Sequence, residues 1–138
     1  MRKIKFRGKT HKNGRWYYGS LVYSDENNVA IYFPVGGGIV KRMDWVYVIP
    51  ETIGQFSGLY DYDGKEIFEG DVLKWEKDGL LYVVRFWHGM FYASVRECNE
   101  DILGGFSLHV LTEYEDRKCE IVGNIYDNPE VLKGGENE

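Results

Sequence analysis

Apolar and polar positions alternate with a period of two along most of this chain, the pattern of strands that bury one face. From Arg2 to Arg7 the alternation puts Ile4 and Phe6 on one side and Lys3, Lys5 and Arg7 on the other, which predicts a half-buried strand. Lys12-Asn13-Gly14 predicts a turn, and Trp16 to Tyr23 an aromatic strand. Asp25 to Asn28 predicts a polar turn and Val29 to Phe33 a third strand. Pro34 to Gly38 reads as a glycine-rich loop, and Ile39 to Ile49 as one or two further strands. Strands this close in sequence pair antiparallel.

The second half continues in the same style. Val72 to Glu76, Leu80 to Trp87 and Met90 to Arg96 are β-rich runs separated by Lys77-Asp78-Gly79 and His88-Gly89, both of turn length. Glu97 to Gly105 is polar, with room for a helical turn. Phe106 to Leu111 suits a strand, and Leu108 to Arg117 suits a short helix equally well. Glu120 to Tyr126 predicts a last strand, and Asp127 to Glu130 a turn or helix start. Short strands in such density predict a mainly β, antiparallel fold with little helix, and a small, strongly bent SH3-like barrel at the C-terminal end. The expected organisation is a basic, aromatic-rich β subdomain over 1–52, a connecting hairpin over 53–71, the barrel over 72–132 and a disordered tail over 133–138.

Charge separates the two halves. Residues 1–52 carry nine Lys and Arg against four acids, whereas residues 53–138 carry eight against eighteen. Arg2, Lys3, Lys5, Arg7, Lys9, Lys12 and Arg15 precede the first acidic residue. Such a segment has three readings: contact with nucleic acid phosphates, docking on the acidic second half of the same or a neighbouring molecule, or a solvated face. With 43% hydrophobic and 16% aromatic residues in 138, the chain can bury a real core. Its apolar runs, such as Leu80 to Val84, are far short of the roughly 20 residues that span a bilayer. The alternation at Ile4 to Arg7 lacks the apolar stretch of a secretory signal. The expectation is a cytoplasmic protein without membrane association.

The most distinctive stretch runs from Val48 to Trp75. Gly58 leads into Asp61 to Lys65, where Asp63-Gly64 supplies a tight hairpin turn, and Gly70-Asp71 makes a second bend before an apolar strand. Asp61, Asp63, Glu66, Glu69 and Asp71 invite comparison with acid–base pairs and cation loops. With Asp61 as the first position of a calcium loop, however, Glu66 and Val72 fall where glycine and a bidentate glutamate belong. Turn-building is the simpler reading, and no metal or cofactor is expected.

Other catalytic patterns are missing. Ser57 has no surrounding G-x-S-x-G elbow, and His11, His88 and His109 are far apart without zinc-type spacing. Cys98 and Cys119 read as reduced thiols. Gly36 to Gly38 has neither the Lys-Ser/Thr nor the following helix of a phosphate loop. An enzyme is therefore not expected.

Taken together, Ile4 to Lys9, Trp16 to Gly19, Val48 to Leu59, Asp63 to Val72 and Val122 to Glu130 closely resemble the YopX family. The resemblance implies a phage or prophage origin and an SH3-like barrel in the second half, and it brings no catalytic residues. What the residues themselves suggest is binding. Tyr and Trp are enriched at protein interfaces, and aromatics interleaved with cations suit single-stranded nucleic acid. The leading expectation is a homo-oligomer or a partner of a phage or host protein; the alternative is a nucleic-acid accessory protein. The candidate contact residues are Arg2, Lys3, Lys5, Arg7, Lys9, Arg15, Trp16 and Tyr18.

Overall fold

A computed structural model describes residues 1–39, 41–95, 105–113 and 118–131. Cys98, nearly all of the segment expected as a helical turn between 97 and 105, and the tail 133–138 lie outside the described residues. The protein is mainly β, with two antiparallel sheets and one short helix. It divides into two compact units, residues 1–56 and 57–138.

The first unit holds β1 (Phe6–Lys9), β2 (Trp16–Asp25), β3 (Asn28–Val35), β4 (Arg42–Val48), a 3-10 turn (Pro50–Thr52) and the start of β5 (Gly54–Tyr60). The strand order is β4-β3-β2-β1-β5. Turn chemistry sets the hairpins. Asn13 Oδ1 accepts from the Thr10 hydroxyl at 2.5 Å and the Arg15 N–H at 3.0 Å, and Asp25 Oδ1 accepts from the Asn27 N–H at 2.8 Å. β3 runs through Pro34, which the sequence placed in a loop. Pro34 lies beyond Ser20↔Tyr32, where the β2 pairing ends, so its missing donor interrupts no β2–β3 bond.

The register sorts side chains onto two faces. Gly8, Tyr17, Leu21, Val29, Ile31, Phe33, Val46 and Val48 share one, and Val29, Ile31 and Val48 are buried on it. β1 and the end of β4 meet across this face although they are not neighbours in the strand order. The Ile49 N–H donates to the Lys9 carbonyl at 2.7 Å, and a Cβ on Gly8 would come within 2.7 Å of Val48 Cγ2. The sheet therefore curls upon itself.

The N-terminal strand differs from its sequence pattern. Ile4 is 59% exposed and precedes β1, whereas Arg7, expected on the solvent side, is only 5% exposed. The Arg7 guanidinium lies 4.7 Å from the centre of the Trp16 ring, and this aromatic neighbour covers part of it. Period-two alternation identifies the strand but cannot tell that both of its faces are covered.

The second unit contains the remainder of β5, then β6 (Glu66–Phe68), β7 (Asp71–Trp75), β8 (Leu81–Trp87), β9 (Met90–Val95), β10 (Phe106–Ser107), helix α1 (Leu108–Glu113) and β11 (Cys119–Asn124). Its sheet has the order β10-β9-β8-β7-β11. Leu108 to Glu113 is thus the short helix, with a two-residue strand before it. The β8–β9 turn places His88 at φ 49° and Gly89 at φ 79°, the paired positive dihedrals of a type I′ hairpin. The core gathers Ile67, Leu73, Trp75, Tyr82, Val84, Ala93, Leu108, Leu111 and Cys119, with Trp75 edge-on to Tyr82 at 6.1 Å and to Phe106 at 5.6 Å.

An exposed aromatic face as the candidate functional site

The acidic signature between Asp61 and Asp71 is a structural device. Asp61 is buried. Its Oδ1 accepts the Asp63 and Lys65 N–H groups at 3.0 and 2.8 Å, and its Oδ2 accepts the Ile121 N–H at 3.0 Å. Asp71, also buried, accepts the Phe68 N–H at 2.8 Å. Gly64 and Gly70 adopt φ of 84° and 94° at the two bends, whereas Gly58, read as a turn residue, sits inside β5 at φ 87°. These carboxylates hold backbone donors, and Asp63 is exposed at the hairpin tip.

A cavity of about 450 Å³ in the second unit is lined by Tyr62, Asp63, Lys74, Glu76, Gly79, Lys118 and Glu120. Every one of these residues is exposed, and Lys74 stands opposite Glu120 in the β7–β11 register. It is an open depression lined by exposed residues of both charges, not by the buried polar groups that orient a small ligand. Elsewhere in this unit, burial pushes the Cys119 thiol up to about 12, with the Asp61 and Glu120 carboxylates adding to the effect. A thiol so placed is a poor nucleophile at neutral pH.

The first unit carries a different kind of surface. Opposite its packed face, the register aligns Tyr18, Ser20 and Val22 of β2, Ala30 and Tyr32 of β3, and Met43, Trp45 and Tyr47 of β4. Met43 is 55%, Trp45 46% and Tyr47 56% exposed; Tyr18 and Val22 are exposed as well. The rings hold one another. Tyr32 stacks on Trp45 across the strands with centroids 6.0 Å apart, and Trp45 meets Tyr47 edge-on at 4.9 Å.

β4 is the outer strand of this order, and outer strands invite pairing through their free backbone groups. Here the Trp45 N–H donates to Asp44 Oδ1 at 2.8 Å, so a side chain from the same strand occupies that donor. The edge is blunted while the aromatic face beside it stays open.

Cations gather at one end of the same sheet. In an antiparallel meander the β1–β2 and β3–β4 connections emerge together, and residues 9–16 and 34–43 contain Lys9, Lys12, Arg15, Lys41 and Arg42 with no Asp or Glu. Lys12, Arg15, Lys41 and Arg42 are exposed. At the other end, the β2–β3 turn holds Asp25 and Glu26.

Of the residues nominated from sequence, the structure brings Arg7, Lys9, Trp16 and Tyr18 onto this face, by the pairings Arg7↔Tyr18 and Lys9↔Trp16. Arg15 lies at the basic end. Arg2, Lys3 and Lys5 precede β1, with the Lys3 ammonium 5.9 Å from the Phe56 ring. Sequence reasoning did not nominate Trp45 and Tyr47. The signal was present in the period-two spacing of Met43, Trp45 and Tyr47, but spacing alone does not say whether that face is covered.

Fold and site together define a two-unit, all-β protein whose developed surface is a sheet face rather than a cleft. The chain belongs to the YopX family: the family model for YopX protein matches residues 5–133. Its fold is similar to that of a protein from Enterococcus faecalis solved by crystallography, at a TM-score of 0.61 and 22% identity, over 96% of this chain and 99% of the other. No curated protein matches the chain. Among the described residues no helix is long and apolar enough to cross a membrane.

Proposed function

We propose that this YopX protein is a non-enzymatic interaction module, and that its working surface is the aromatic face of the N-terminal sheet. The observation that carries this reading is the Tyr32–Trp45–Tyr47 cluster, preassembled by ring contacts yet left about half exposed at Trp45 and Tyr47. Contiguous exposed apolar surface is costly to keep in water, and rigid Tyr and Trp side chains are the ones that yield most binding energy when covered. The blunted β4 edge favours docking on the face over strand addition.

The test is a residue-resolved titration of labelled protein by nuclear magnetic resonance, diluting it against itself and adding short single- and double-stranded oligonucleotides. Amide signals that move around Tyr18, Tyr32, Met43, Trp45 and Tyr47 support the reading. Signals that move only beyond residue 57, or that stay fixed under every condition, overturn it.

A further inference from the structure

We infer that the occupant of this face is single-stranded nucleic acid, with bases stacking on the Tyr32, Trp45 and Tyr47 rings and phosphates meeting Lys12, Arg15 and Lys41. The inference rests on the aromatic face being the working surface, and adds the chemistry of its partner. Three observations lead to it. The face offers aromatic rings on neighbouring strands, which every base can use because every base has a π surface. Exposed Lys12, Arg15 and Lys41 lie in the two connections at one end of that sheet, in segments free of acidic residues, whereas Arg2 and Lys3, also exposed, precede β1. The acid nearest in sequence on β4, Asp44, points by register to the opposite face and is engaged by the Trp45 N–H.

The two groups of residues are complementary to a flexible polyanion with unpaired bases. A duplex would present phosphates to the basic end but no base faces to the rings. Local field, rather than the net charge of −5, governs such an encounter, because exposed charges beyond about 10 Å are screened at 0.1 M salt. The acidic second unit instead acts against non-specific binding elsewhere on the molecule.

The experiment is fluorescence anisotropy with a labelled oligothymidylate and oligouridylate of about 15 nucleotides and a duplex of the same length, a length chosen to cover one small β-domain. It is run at low and high salt on the full chain, with light scattering on the same samples. The expected result is single-strand binding that exceeds duplex binding and weakens with salt, the log–log slope being no steeper than about −2 for three contacted phosphates. Trp45→Ser and Tyr47→Ser each weaken it about tenfold or more, as the loss of one stacked base does. Lys41→Gln reduces the slope by about 0.7. Circular dichroism of every variant confirms that these exposed positions leave the fold intact.

Absence of salt-dependent binding overturns the inference. If binding is absent while the mass grows with concentration, and Trp45→Ser abolishes that growth, the inference fails but the face remains the working surface, with a second copy as occupant. Oligonucleotide binding that Trp45→Ser and Tyr47→Ser leave unchanged overturns both this inference and the reading of the face.

Discussion

Asp61 and Ile121 lie sixty residues apart, and the Asp61 carboxylate joins them by accepting the Ile121 N–H at 3.0 Å while its other oxygen holds the Asp63 and Lys65 N–H groups. One buried side chain therefore closes the β5–β6 hairpin and pins β11 beside it. Asp61→Ala strands three donors at once. With a charge-assisted hydrogen bond worth about 1.5–3 kcal/mol and partial rescue by water, the expected loss of stability is about 3 kcal/mol. Urea denaturation followed by circular dichroism measures it; a loss below about 1 kcal/mol would reduce Asp61 to an ordinary turn residue.

Gly8 presses on Val48 where the first unit's sheet curls. A Cβ at position 8 would approach Val48 Cγ2 to 2.7 Å and Cβ to 2.8 Å, well inside normal contact. Gly8→Ala is expected to cost about 1–3 kcal/mol through overpacking. The obstruction is a side chain, so adding Val48→Ala should cost less than the sum of the two single changes. Strict additivity in this double-mutant cycle would show that the two residues do not bear on each other.

These two sites mark how far the sequence could be read. Strand existence, antiparallel pairing and the Asp-Gly and His-Gly turns follow from local chemistry, which is why β2 to β4 and β7 to β9 fall close to their expected positions. Contacts across long sequence separation leave no such trace. Nothing in the Asp61 turn announces Ile121, and nothing in Gly8 announces Val48. Arg7 looked like a solvent-facing cation because alternation records polarity; Trp16, which covers part of it, lies on the neighbouring strand. The candidate site was half legible for the same reason. Composition pointed to aromatics and cations in the N-terminal half, but only the register puts Trp45 and Tyr47 on the face that also carries Tyr18.

Cys119 gives a pH prediction. Its thiol is pushed up to about 12, chiefly by burial, above an unfolded value near 9. Below pH 9 the thiol is protonated in both states and its contribution to stability is complete. As pH rises from 9 to 12 the unfolded chain releases this proton while the folded one retains it. The unfolded state then binds fewer protons, and stability falls with a limiting slope of about 1.4 kcal/mol per pH unit from this group. Tyr82, raised by burial and by its hydroxyl's bond to Asp78, adds to the decline from about pH 10 upward, where the unfolded tyrosine begins to ionise. Stability measured from pH 8 to 11 should fall less steeply for Cys119→Ala than for the parent chain. Equal slopes would show that the thiol is not protected.

The contrast between Trp45 and Trp75 separates a surface built to bind from a core built to hold. Trp75 is 2% exposed and fills the second unit beside Tyr82 and Phe106, so Trp75→Ala should cost about 3–5 kcal/mol. Trp45 is 46% exposed, and among the described residues its aromatic ring partners are Tyr32 and Tyr47. Each aromatic pair is worth about 0.5–1.5 kcal/mol, so losing the two pairs in Trp45→Ala should cost about 1–3 kcal/mol and leave a folded chain. Denaturation followed by far-ultraviolet circular dichroism reads both without depending on the tryptophan removed. A loss at Trp45 as large as that at Trp75 would mean that the aromatic cluster is held for stability, and the case for a binding face would lose its main support.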